Sequence, residues 1–204
     1  MPCWIDDTLP LENLGISQHT PSIWLRAPIS LKCGAGTLDL RCVSDCIGLT
    51  PQTISHVIQI EGKVECWRIL ENRTVFERVA RQRGAVDGVL WVPGFAPLWW
   101  KQGVTEILSR CPAPAFIACD PDPAGIDIAL SVGNIWSENS INWEPWCMDA
   151  EVLSTLPKKK QLNGYDINRL QFLVAQNLPE TLERLACWIL ENGEKGEQEG
   201  ISFD

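Results

Sequence analysis

Two carboxylates two residues apart, Asp120 and Asp122, close the apolar run Ala115-Phe-Ile-Ala-Cys119. On an extended chain, residues two apart share a face, so both carboxylates can address one point in space. Such a pair suits a divalent cation. Mg²⁺ is a hard ion that takes oxygen ligands and keeps several waters, so a few carboxylates at the end of a buried strand suffice. Pro121 and Pro123 stiffen the turn, and Gly125 lets it bend into the apolar segment that follows. A second acid, Glu71, ends the earlier apolar run Trp67-Arg-Ile-Leu70. In an open α/β sheet ligands gather outside the carboxyl ends of strands, so Glu71 and the aspartate pair can converge. The same acids also suit helix starts, where Asp is a favoured cap.

The elements that must position these acids follow from the pattern between Val64 and Val132. A strand runs to Glu71, a helix from about Thr74 to Arg83, a strand from Gly88 to Val92, a helix from Pro97 to Arg110, a strand from Ala115 to Asp120, and then a helix. Strands alternating with helices define an α/β fold with a parallel sheet flanked by helices. Before it, Pro28–Cys33 and Thr37–Cys42 alternate apolar and polar residues around Gly34-Ala-Gly36, the pattern of a β-hairpin. Thr50-Pro51 opens a short helix through Val57. Residues 1–60 thus read as a small N-terminal appendage, and residues 61–204 as the main domain with a C-terminal helical extension. In that extension the stretch after Ser137 reads as loose. Lys158, Lys159 and Lys160 lie in a linker, helices run over about Asp166–Gln176 and Pro179–Asn192, and the acidic tail from Glu194 onward reads as disordered.

Composition bounds the partners. The net charge of -9 argues against broad, non-specific nucleic-acid binding, which needs a concentrated basic surface. A local basic patch is the remaining route: Arg78 and Arg81 on the helix after Glu71 with Arg73 just ahead of it, or the lysines at 158–160. The nine cysteines show no short paired spacing, which argues against a disulfide framework. Cys33, Cys42, Cys46 and His56 come nearest to a zinc set, but their spacing matches no standard finger. The amino terminus has no signal-peptide pattern and no apolar run is long enough to span a bilayer, so a cytoplasmic protein is expected.

Glu71 after one strand, Asp120-x-Asp122 after a later one and the alternating elements around them resemble the Toprim domain of topoisomerases, bacterial primases and several nucleases. More narrowly, Leu70-Glu-Asn-Arg-Thr-Val-Phe76, Trp91-Val-Pro-Gly-Phe95, Asp120-Pro-Asp-Pro-Ala-Gly-Ile126 and Glu197-Gln-Glu199 resemble the C-terminal domain of the JetD proteins of Wadjet plasmid-defence systems, relatives of the topoisomerase VI A subunit. The resemblance implies a metal-dependent DNA endonuclease working with an SMC-type motor complex. Glu71, Asp120 and Asp122 would bind Mg²⁺ or Mn²⁺, with Glu199 as a further acidic ligand and Glu71 also a general base. A homodimer would place two sites on opposite strands of DNA. Residues 1–60 are too few for the N-terminal DNA-binding region of the longer members, so DNA binding through a partner is expected. The only tyrosine, Tyr165, falls downstream of the Toprim-like core, which disfavours strand passage. Two other readings compete: a non-catalytic subunit that keeps the fold, and a glycosyltransferase whose Asp-x-Asp holds Mn²⁺ against a sugar diphosphate, which leaves Glu71 without a role.

Overall fold

The computed structural model describes residues 20–203. Three central strands form where apolar runs are long enough to be buried on both faces: β6 (Trp67–Leu70), β7 (Gly88–Trp91) and β8 (Ala115–Ala118). They pair in parallel, with Leu70 opposite Trp91 on one side and opposite Ala118 on the other. A fourth parallel strand, β9 (Trp143–Pro145), lies beside β8. On the other flank β1 (Ile23–Arg26) runs antiparallel to β7, and β4 (Ile47–Leu49) antiparallel to β1. The full order is β4-β1-β7-β6-β8-β9.

The helices occur where the sequence places caps. Asn72 opens α2 (Arg73–Arg83) by accepting from the Val75 N–H, and Asp122 opens α4 (Pro123–Glu138) by accepting from the Gly125 N–H. Between them α3 (Leu98–Arg110) packs against α4. The chain moves from β6 to β7 in one direction and then crosses back to β8 in the other. With right-handed crossovers this reversal sends α2 to one face of the sheet and α3 to the other, and opens a crevice between the carboxyl ends of β6 and β8. Both strands end in acid at that point.

A continuous core unites the sheet and its helices. Trp67, Trp100 and Trp136 are fully buried, and each donates its indole N–H to a main-chain carbonyl, of Cys111, Trp91 and Ala113 respectively. These contacts let the polar edge of each ring enter the core without losing a hydrogen bond.

The expected hairpin is present as β2 (Ile29–Cys33) and β3 (Gly36–Asp39), with Cys33 opposite Gly36. Its second arm stops at Asp39, because Leu40–Cys42 turn into a 3-10 helix capped by the Asp39 carboxylate. A third strand, β5 (Val57–Gly62), pairs with β2. The short helix α1 (Pro51–Ser55) starts at the Thr50 cap but ends before Val57, which belongs to β5. The residues read as an N-terminal appendage pack against the rest of the chain over their described part. Ile23, Leu25, Ile29 and Leu49 are buried in the common core, and β1 and β4 extend the main sheet. The residues before Thr20 lie outside the described residues.

The C-terminal extension is more ordered than its composition implies. After β9 come α5 (Ala150–Thr155), β10 (Lys160–Gln161), α6 (Gly164–Val174) and α7 (Glu180–Asn192). Gly193, with φ of 69°, ends α7 in the left-handed region that favours glycine. The acidic tail then forms β11 (Glu194–Lys195), which pairs antiparallel with β10, and a 3-10 turn at Gln198–Gly200. Disorder is ruled out there by Ile201 and Phe203, whose burial anchors the segment. Among the described residues no helix is long and apolar enough to cross a membrane.

Candidate functional site

Glu71 and Asp120 sit one and two residues beyond adjacent parallel strands. The ladder continues past the strand ends, with the Glu71 N–H donating to the Ala118 carbonyl at 3.2 Å. The Asp120 N–H then donates to Glu71 Oε2 at 3.2 Å, which holds the two acids side by side. Asp120 Oδ1 accepts from the Gln198 N–H at 2.7 Å. Asp122 turns into its capping role: Oδ1 accepts from the Gly125 N–H at 2.7 Å, and Oδ2 lies 3.8 Å from Lys195 Nζ. Lys195 also pairs with Asp166 at 2.9 Å. The turn requires a glycine at 125, because a Cβ there would lie 2.0 Å from the Asp120 carbonyl oxygen.

The electrostatics follow from burial and crowding. Glu71 is pushed up to about 7, first by burial and then by repulsion from Asp120, Asp122 and Glu199, against the pull of the Asp120 N–H. Burial pushes Asp120 up to about 6, with Asp122, Glu199 and Glu197 adding repulsion and the Gln198 N–H opposing it. Asp122 is also raised by burial, partly offset by the Gly125 N–H and by Lys195. Three crowded carboxylates with raised proton affinity form a site that any cation would relieve.

Among the described residues no three His, Cys, Asp or Glu side chains form a ready-made ion cage. One Glu71 oxygen is bonded to the Asp120 amide, and Asp122 caps its helix start. The donor set is nevertheless all carboxylate, which fits a hard ion held by a few protein oxygens and otherwise by water. Glu199 belongs to the same neighbourhood, but its Oε1 is bonded to Asn72 Nδ2 at 2.5 Å.

The expected phosphate-binding arginines have other partners. Arg73 stacks over Trp24, 4.0 Å from the ring centroid, and pairs with Glu77 at 2.8 Å. Arg78 donates to the Ile201 carbonyl at 3.1 Å, and Arg81 pairs with Asp45 at 3.3 Å. These contacts tie α2 to β1, the tail and the loop before β4. The lysines differ. Lys160 pairs with Glu197, whereas Lys158 and Lys159 form no ion pair among the described residues. Together with Lys195 and Gly196 they line a cavity of about 450 Å³, which Lys195 connects to Asp122.

Sequence reasoning missed Gln198 and Lys195. Both lie in the tail, where acidic composition masks two contacts to the site. The motif Glu197-Gln-Glu199 did mark the segment, although it pointed to Glu199 rather than to the glutamine. No protein-family model matches the chain, and no curated protein matches it in sequence.

Proposed function

We infer that the chain is a metal-dependent DNA endonuclease of the Toprim type. The observation that carries this reading is the placement of Glu71 and Asp120 on adjacent strand ends at the reversal of the sheet, with both carboxylates raised by burial and by neighbouring negative charge. Glu71, Asp120 and Asp122 would hold Mg²⁺ or Mn²⁺, and Glu199 stands near enough to add charge. When bound, the ion supplies an activated water and neutralises charge on the phosphodiester. Glu71, with its proton affinity near neutrality, is suited to take up a proton at its free carboxylate oxygen. Asp120 keeps its orientation through the Gln198 amide, and the Asp122 cap fixes the turn that carries both aspartates. Lys158 and Lys159 offer cations to a phosphate backbone beside the acids. In this reading the protein acts in the cytoplasm in plasmid or phage defence, with an SMC-type complex delivering DNA and a homodimer supplying two sites.

A second reading, a non-catalytic or partner-dependent subunit, is favoured by the arginines of α2. Their structural contacts leave little basic surface on a chain of charge -9. Cleavage of supercoiled plasmid in Mn²⁺, Mg²⁺ or EDTA separates the two. Metal-dependent nicking that is lost in Glu71→Ala and Asp120→Ala, with both variants folded, supports the nuclease. No cleavage, together with no rise in Tm on adding Mn²⁺, overturns it and leaves the subunit reading.

A further inference from the structure

Gln198 is fully buried, although it lies between two exposed glutamates in an acidic tail. Its contacts reach both acidic loops. The side-chain Oε1 accepts from the Asn72 N–H at 2.8 Å, the residue directly after Glu71, and the main-chain N–H donates to Asp120 Oδ1 at 2.7 Å. The same segment is tied down on either side. The Gly196 N–H donates to the Pro121 carbonyl at 3.1 Å, Glu199 accepts from Asn72 Nδ2, and the Ile201 carbonyl accepts from Arg78. Burying an amide is costly unless its polar atoms are bonded, and Gln198 Nε2 has no partner among the described residues. A leucine or methionine would fill the space without that cost, so packing alone does not explain a glutamine here.

We propose that Gln198 is a positioning residue that clasps the ends of β6 and β8 together, fixing the distance between the Glu71 and Asp120 carboxylates. The inference rests on the reading of those acids as a metal site. Groups that orient metal ligands are worth about 10- to 100-fold in metal affinity. The main-chain half of the clasp survives any substitution, whereas the side-chain half requires an acceptor at the position of Oε1. Gln198→Met removes that acceptor at similar volume, and Gln198→Glu restores it.

The test uses the full chain with two readouts: Mn²⁺ affinity from the free-ion EPR signal, and titration of the Glu71 and Asp120 carboxyls by ¹³C NMR in metal-free buffer. Thermal unfolding serves as the fold control. The expected result is about tenfold weaker Mn²⁺ binding in Gln198→Met, a shifted Glu71 titration, and recovery of Mn²⁺ affinity to within a few-fold in Gln198→Glu. A folded Gln198→Met that matches the wild type in both readouts overturns the proposal. Absence of Mn²⁺ binding by the wild type removes the metal reading, and the carboxyl titrations then decide the clasp: a shift in Gln198→Met supports it, and an unchanged profile overturns it.

Discussion

The Asp120 amide donates to Glu71 Oε2 across 3.2 Å, so the main chain of one strand end supports the catalytic candidate of its neighbour. Glu71 is partly buried and forms no ion pair among the described residues, which leaves this bond to offset its charge. The bond supplies one donor to a carboxylate that is otherwise crowded by negative charge, and Glu71 remains raised to about 7. The strand pairing of the fold and the chemistry of the site meet in this single contact.

The raised carboxylates set the pH dependence of stability in the metal-free protein. Glu71 titrates near 4.5 when unfolded and about 7 when folded, and Asp120 near 3.8 and about 6. Between these values the folded chain holds protons that the unfolded chain has released, so stability falls as pH rises through the window from about 4 to 7. Asp166, lowered chiefly by the Asn163 N–H and Lys195 against the burial that would raise it, acts in the opposite sense but only below its ordinary range. Urea denaturation in EDTA is expected to show a decline from pH 5 to pH 8. Glu71→Gln should remove much of that slope and stabilise the protein at pH 8 by about 2 kcal/mol, at roughly 1.4 kcal/mol per pKa unit after allowance for solvent screening. A flat profile in the wild type would contradict the raised values.

The elements that carry the site were legible because their signals are local. Apolar runs ending at Glu71 and Asp120 mark the strands, and Asp122 marks the start of the helix after the second. Asp122 takes the helix-start role weighed from sequence, since it caps α4. What escaped depends on distant contacts. Ile23-Trp-Leu-Arg26 has few residues, and becomes a strand because Leu25 and Arg26 meet Leu90 and Val89 on one side and Ile23–Leu25 meet β4 on the other. Trp143–Pro145 is likewise a strand only because β8 offers it an edge. Gln198 is buried and bonded to Asn72 and Asp120, more than 70 residues away in the chain, which no local pattern of glutamates announces.

Asp122 separates capping from metal binding. Asp122→Ala loses the cap of α4 and is expected to cost about 1 kcal/mol, whereas Asp122→Asn keeps an acceptor for the Gly125 N–H and should retain near wild-type stability. Both variants lose the negative charge. The rise in Tm on adding Mn²⁺ should therefore shrink in both, and only Asp122→Ala should unfold at lower urea. Equal Mn²⁺ responses in wild type and Asp122→Asn would remove Asp122 from the ligand set.

Gly125 is constrained by a main-chain neighbour. A methyl group there would meet the Asp120 carbonyl oxygen at 2.0 Å, and that oxygen also accepts from the Asp122 N–H at 2.7 Å. Because backbone rather than a flexible side chain must yield, Gly125→Ala is expected to cost about 2–3 kcal/mol and to displace Asp120. The urea midpoint measures the first effect and the lost Mn²⁺ response the second. Gly164→Ala, where added carbon meets nothing within 4 Å, is the matched control.

Under the nuclease reading, basic residues divide between structure and DNA binding. Arg73 stacks over Trp24 and pairs with Glu77, so Arg73→Ala should destabilise the fold by about 1 kcal/mol while leaving affinity for DNA largely intact. Lys158 and Lys159 carry no ion pair among the described residues and line the cavity beside Asp122, so their replacement by alanine should leave the urea midpoint unchanged. Each substitution should weaken DNA binding across sequences and reduce the slope of log affinity against log salt by about 1. Fluorescence anisotropy of labelled duplex over a salt series measures both quantities. If Arg73→Ala instead lowers the slope while the lysine variants do not, the DNA path runs over α2 and the cavity is excluded from it.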